Sequence, residues 1–172
     1  ANLYHQLVRM GHEVKVIAPA SNAVSVFGNQ FIRIGRPLPF PASDSISRVP
    51  ISLNLGGEIK TVLARERFDI IHLHEPFVPM LCSAVLRFSD AVNIGTFHAA
   101  DGTPGYNFAW PFGRMILRRR RRKLHGRIAV SLPAMRFASK YVPGDYAIIP
   151  NGIDFSHFPV EAKPMPPFDD GR

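Results

Sequence analysis

His72 and His74 stand two residues apart, with Glu75 directly after, in the phrase FDIIHLHEP from Phe68 to Pro76. A strand has a side-chain period of two, so both imidazoles share one face. Two chemistries fit. One is a metal pair serving a metal-dependent hydrolase, with His98 as a third ligand. The other makes His72 a buried, hydrogen-bonded histidine and puts His74 at the rim of a site. Zinc asks for three or four ligands, and no aspartate-rich strand end supplies the remainder. Glu75 can act as a base or hold an acceptor hydroxyl. It can equally be a carboxylate facing the positive end of the next helix. His98 leads into a segment with Gly102 and Gly105, which permit close ligand approach. A histidine there can donate to a sugar hydroxyl or to developing negative charge. The plainer alternative is a solvated loop histidine.

Two further groups carry charge chemistry. Ser43-Asp44-Ser45-Ile46-Ser47-Arg48 joins hydroxyls to one guanidinium. That combination suits a phosphate, because the guanidinium fork matches phosphate oxygens. An exposed loop is the alternative. The run Arg118, Arg119, Arg120, Arg121, Arg122 and Lys123 holds six of the 21 basic residues, and without it the formal charge of +8 falls to +2. The basicity is local. It reads as a solvated helix end, as contact with an anionic membrane surface, or, least well, as a nucleic-acid patch. No aromatic platform or recognition motif accompanies it, so no nucleic-acid partner is expected. Ser131, before Pro133, can be a helix N-cap or a site hydroxyl. Asn151-Gly152 can be a turn alone. Cys82 falls inside a predicted helix and reads as core.

These residues need elements to place them. The apolar positions Leu3, Leu7 and Met10, with Tyr4 and Val8, fit one helix stripe that stops at Gly11. Glu13–Ala18, Phe31–Gly35, Phe68–His74, Ala91–His98, Arg127–Val130 and Ala147–Ile149 read as strands. Gly57–Arg67, Pro76–Phe88, Phe108–Leu124 and Pro133–Tyr141 read as helices. The Pro- and Ser-rich stretch from Arg36 to Pro50 reads as a long irregular loop. Helix and strand alternate, and near-continuously apolar strands imply burial on both faces, hence a parallel sheet. The expected fold is an open, doubly wound, Rossmann-like α/β domain. In such sheets ligands sit outside the carboxyl ends of the strands, where His74-Glu75, His98, Ser131 and Asn151-Gly152 all fall.

Composition sets the outer limits. The chain has 172 residues, 46% hydrophobic and 20% charged, which excludes a disordered polymer. No apolar run approaches the ~20 residues of a membrane-spanning helix. One cysteine excludes a disulfide framework and fits a reducing compartment. The first residues suggest a domain short of its first strand. The Pro-rich end, from Pro159 to Arg172, suggests a linker. The expected division is therefore a domain over 1–158 and a linker over 159–172.

Five phrases in order carry a resemblance: RMGHEVKVIAPAS (Arg9–Ser21), FDIIHLHEP (Phe68–Pro76), GTFHA (Gly95–Ala99), GRIAVS (Gly126–Ser131) and IIPNGIDFSHF (Ile148–Phe158). Together they resemble the N-terminal domain of the family 4 glycosyltransferases with the GT-B fold, and among these the phosphatidylinositol mannosyltransferases. The resemblance spans essentially the whole chain. It implies a Rossmann-like half that receives the acceptor, facing a donor-binding half reached through the linker. It implies retaining transfer of a hexose, such as mannose from GDP-mannose, to a lipid-linked acceptor. No metal and no cofactor are needed beyond the nucleotide-sugar substrate. By the same resemblance His98 lies beside the donor sugar, Ser45 and Arg48 hold the acceptor phosphate, and Glu75 shapes the acceptor pocket. A Gly-rich loop would precede Ala1, and the isolated chain would be inactive. A cytoplasmic site is expected, peripheral on the inner face of the plasma membrane, with the basic run at an anionic leaflet. The sequence departs from the inositol-lipid pattern before Ser45, where Ala42, Ser43 and Asp44 replace an aromatic-Asn-Gly. It also departs at Glu58–Arg67, which is mixed in charge. The alternatives are the hydrolase built on His72, His74 and His98, and a non-catalytic membrane-binding module.

Overall fold

The computed structural model describes residues 2–19, 27–42, 45–51, 54–77, 81–101 and 118–153; for 36–42 and 45–51 it describes the backbone alone. Gly102, Gly105, the helix expected to start at Phe108 and the 159–172 linker lie outside these residues.

The chain is α/β with parallel sheets, as the alternation requires. Helix α1 (Asn2–Arg9) leads to β1 (Val16–Ala18), which pairs in parallel with β2 (Phe31–Arg33). Gly11, at φ +88°, ends α1: its N–H bonds to Val8 O at 3.0 Å and that of His12 to Leu7 O at 3.1 Å. A left-handed residue past the last turn gives the stranded carbonyls these donors. The apolar stripe of α1 is only partly covered among the described residues: Tyr4 meets the Phe27 ring, while Leu3 is 46% and Met10 71% exposed.

The stretch read as an irregular loop is instead an antiparallel hairpin of β3 (Arg36–Ala42) and β4 (Ser45–Ile51). Proline content argued against a strand, yet Pro37, Pro39 and Pro41 alternate. Alternate residues point their backbone groups to one edge, so all three missing donors fall on the same edge. The other edge keeps the N–H groups of Leu38, Phe40 and Ala42 for a ladder.

Helix α2 (Leu55–Glu66) follows, then β5 (Ile70–His74), α3 (Leu81–Phe88), β6 (Val92–Phe97), a helical turn at 118–121, β7 (Gly126–Ala129), α4 (Leu132–Ser139) and β8 (Ala147–Ile148). Strands β5-β6-β7-β8 form one parallel sheet in chain order. The core joins Ile34, Ile59, Leu73, Leu86, Phe97 and Val142 between sheet and helices. Each such side chain contributes roughly 1.5–3 kcal/mol by leaving water. Strand β6 is inside the sheet and is buried at Asn93 and from Gly95 to Phe97, while Val92 at its start is exposed. Strand β5 is not buried on both faces as expected: Ile71 and Leu73 are buried, while Ile70, His72 and His74 are exposed. Its residues alternate, and it has a strand partner on one side only among the described residues.

The sheet leaves little room above Gly95, where a Cβ would meet Pro76 Cγ at 2.9 Å and Leu124 Cδ2 at 3.2 Å. Both neighbours are buried. Gly95→Ala is expected to destabilise the protein by about 1–3 kcal/mol, read as a lower urea midpoint. An unchanged midpoint would mean that Pro76 moves freely.

Candidate active site at the ends of β5 and β6

Parallel register builds the site. Strand β5 pairs with β6 so that His72 faces Ile94 and His74 faces Thr96. Residues two further along β6 are the diagonal neighbours on the same face. His72 therefore reaches Thr96, with Nε2 2.6 Å from Oγ1. His74 reaches His98, with Nδ1 2.9 Å from Nε2. The rings stack in sequence: His72 on His74 at 4.7 Å between centroids, and His74 on His98 at 5.2 Å. In each of the two hydrogen bonds one partner donates and the other accepts, so at the His74–His98 contact only one of the two facing nitrogens carries a proton.

Although His72 is exposed along one side, the packing of its ring against its neighbours holds it below the ordinary imidazole range, with the His98 charge adding to it. His74 is pushed down to about 4, first by burial of its ring and then by its two histidine neighbours, although part of its surface meets solvent. The unfolded chain binds this proton near the ordinary value of 6.5. Stability from a neutral His74 is therefore complete above about pH 6.5 and is lost as pH falls towards 4. Carboxylates titrate in the same window, so the readout is the difference between proteins. The Tm of wild type is expected to drop more steeply from pH 6.5 to 4.5 than that of His74→Asn. Parallel curves would show that His74 titrates normally.

Glu75 turns the chain at the end of β5, with φ +52° and its N–H bonded to Thr96 O at 2.8 Å. A left-handed conformation is uncommon for a residue with a side chain and needs support from its surroundings. Its Oε1 accepts from the backbone N–H groups of His98 and Ala99, at 2.6 and 2.8 Å. That carboxylate oxygen thus ties the exit of β5 to the exit of β6. Glu75 holds the segment carrying His98, a task that neither sequence reading of this residue contained. Among the described residues, the Nδ1 of His98 has no hydrogen-bond partner and is the nitrogen left to meet a ligand.

The other singled-out residues are placed less centrally. Ser131 is the N-cap of α4 and accepts from Ala134 N–H at 3.2 Å. Asn151 and Gly152 are exposed. Cys82 sits in the first turn of α3, its Sγ 3.5 Å from His74 O, and burial pushes its thiol up to about 11, with Glu75 adding to the shift. Ser45 and Arg48 lie on β4, opposite Ala42 and Pro39, and their side chains lie outside the described part. Within the basic run, Arg118, Arg119 and Arg122 are exposed, while Arg120, Arg121 and Lys123 are partly buried. Lys123 Nζ donates to the carbonyls of Arg87 and Ser89 at 3.0 and 2.8 Å, so it caps the negative end of α3.

One side chain, Thr96, and one pairing, that of His74 with His98, escaped the sequence reading. Thr96 pairs with His72, and His74 is a neighbour of His98. The signal was a constant offset of 24 between the two strands, which requires their parallel register. Among the described residues no group of three or more His, Cys, Asp or Glu is arranged to hold a metal ion. The three imidazoles stack ring on ring instead of converging.

A parallel α/β sheet with a histidine and a carboxylate-anchored segment at adjacent strand ends puts polar groups where open α/β sheets bind ligands. The chain belongs to Glycosyltransferase Family 4, whose pattern matches residues 1–157. It is 33% identical over 153 residues to the phosphatidyl-myo-inositol mannosyltransferase of Mycobacterium tuberculosis strain H37Rv, covering 89% of this chain and 39% of that protein. The like-named protein of Propionibacterium freudenreichii is 31% identical over 160 residues (90% of this chain, 41% of the relative). That of Mycolicibacterium smegmatis is 34% identical over 148 residues (86% and 37%). The chain thus spans about two fifths of the length of these relatives.

Proposed function

We propose that the complete protein transfers a hexose, in the first instance mannose from GDP-mannose, onto a lipid-linked acceptor such as phosphatidylinositol. The observation that carries this reading is the His98–His74–Glu75 constellation at the sheet edge, in a chain similar along most of its length to proteins of that name. His98 presents Nδ1 to a hydroxyl of the donor sugar, and His74 and Glu75 keep it there. Ser45 and Arg48 hold the acceptor phosphate. The reaction proceeds with retention and takes no metal or cofactor besides its nucleotide-sugar substrate. Residues 1–158 form the acceptor-side domain, and 159–172 lead towards the donor-binding side.

The exposed arginines of the 118–123 run face an anionic leaflet and make the enzyme peripheral on the cytoplasmic face of the plasma membrane. Each basic residue near such a surface adds roughly 1 kcal/mol. No helix among the described residues is long and apolar enough to cross a membrane.

The test is a matrix of donors and acceptors. GDP-mannose and UDP-glucose, each radiolabelled, are offered with phosphatidylinositol or phosphatidylcholine vesicles, and label is counted in the lipid extract. Transfer from GDP-mannose into phosphatidylinositol alone supports the reading. Arg48→Ala is expected to raise the acceptor KM by about tenfold or more with little change in kcat, as befits a lost charged hydrogen bond. An unchanged KM would remove Arg48 from the acceptor site.

A further inference from the structure

At the opposite end of α3 from His74, the protein has an open cavity of about 260 Å³ between α2, α3 and the 118–121 turn. Its walls include Gly56, Ser83, Phe88, Arg87 and Arg120. Two guanidinium groups from separate elements thus line one small space. No carboxylate is among its lining residues, and among the described residues neither arginine has an ion-pair partner. Burial and the neighbouring Arg87 charge both disfavour the protonated form of Arg120. Phe88, in the cavity wall, carries two cations on its ring: Lys60 Nζ lies 4.7 Å from the centroid and Arg87 Cζ 5.0 Å from it.

Arg120 is partly buried, so the nearby positive charge of the exposed Arg87 is unfavourable to it unless an anion offsets it. The cation–π contacts with Phe88 steady Lys60 and Arg87 but add no negative charge. Lys123, three positions on in the same basic run, satisfies its charge on the Arg87 and Ser89 carbonyls, and among the described residues Arg120 has no hydrogen-bond partner of that kind. Guanidinium forks match the oxygens of a phosphate or a carboxylate, and a phosphate has enough oxygens to take two forks at once.

We propose that this cavity is a phosphate-binding site in which Arg87 and Arg120 grip the anion. The ligand class is a phosphate mono- or diester, either a lipid headgroup or a soluble ester. The cavity exceeds the needs of a bare phosphate and opens to solvent, which leaves room for the ester substituent. This goes beyond the transfer reaction and stands whatever sugar is moved. It also divides the basic run: Arg120 makes a structured contact, while Arg118 and Arg119 act by charge alone.

The test uses the complete protein and variants that each remove one charge. Arg87→Gln is compared with Arg136→Gln, an exposed arginine on α4 far along the chain. One arm measures binding to vesicles of phosphatidylcholine with phosphatidylglycerol. The other measures the rise in Tm given by inorganic phosphate over chloride at equal ionic strength. Losing one charged hydrogen-bonding partner is expected to weaken phosphate-dependent binding about tenfold in Arg87→Gln, and far less in Arg136→Gln. A loss in the vesicle arm assigns the site to a lipid headgroup. A loss confined to the inorganic phosphate arm assigns it to a soluble ester. Arg87→Lys keeps the charge but loses the fork, so it is expected to fall between wild type and Arg87→Gln, and it serves if Arg87→Gln folds poorly. Equal behaviour of the position-87 variants and Arg136→Gln in both arms would overturn the proposal.

Discussion

Replacing His98 with alanine is expected to lower sugar transfer by about two to three orders of magnitude, the usual size for one preorganised hydrogen-bond donor at a reacting centre. The fall should lie in kcat and in kcat/KM together, because the contact strengthens as charge develops in the transition state. Nothing about the fold should change with it. His98 is exposed, and its ring touches the protein through His74. His98→Asn and His98→Gln carry an amide donor and should recover part of the rate only if that donor reaches the sugar. Full activity in His98→Ala would remove the site assignment while leaving family membership untouched.

Glu75 gives the second large effect and a different signature. Glu75→Ala leaves two backbone N–H groups at His98 and Ala99 without their acceptor and removes the restraint on a left-handed turn. The expected result is a loss of about 2–4 kcal/mol in stability, and a loss of transfer of about a hundredfold or more. Glu75→Gln keeps a carbonyl oxygen at the same place, so it should retain the fold and most of the activity. A general base would show the opposite pattern, with Glu75→Gln as damaging as Glu75→Ala. A pH profile adds to this: an anchor leaves the acid limb of kcat unmoved in Glu75→Gln, whereas a base abolishes it. Equal activity in all three proteins would deny Glu75 any part in positioning His98.

The strand exits were legible in the sequence because apolar runs ending in His, Glu, Pro and Gly mark them directly. The parallel direction of β5 to β8 followed from the alternation of strand and helix, while their order in the sheet did not. The hairpin from Arg36 to Ile51 was not legible, because proline counts against a strand unless its alternation is noticed. The burial of β5 was misjudged for a related reason. Its composition is β-branched and apolar, yet His72 and His74 alternate with Ile71 and Leu73, and only one face packs. At the site, His74, Glu75 and His98 could be named one by one. Their partnership could not, since it depends on which residue of β6 stands beside which residue of β5. A shift of register by one would put His74 and His98 on opposite faces and dissolve the site. The Arg87–Arg120 cavity was invisible for the same cause: 33 residues of sequence separate two side chains that the fold brings to one pocket.

The most direct measurement is transfer of labelled mannose from GDP-mannose to phosphatidylinositol vesicles by the complete protein in EDTA, beside His98→Ala. The account predicts lipid-extractable label from wild type at an undiminished rate in the chelator, and about a hundredth of that or less from His98→Ala. Label transfer that disappears with EDTA, or that survives intact in His98→Ala, would contradict it.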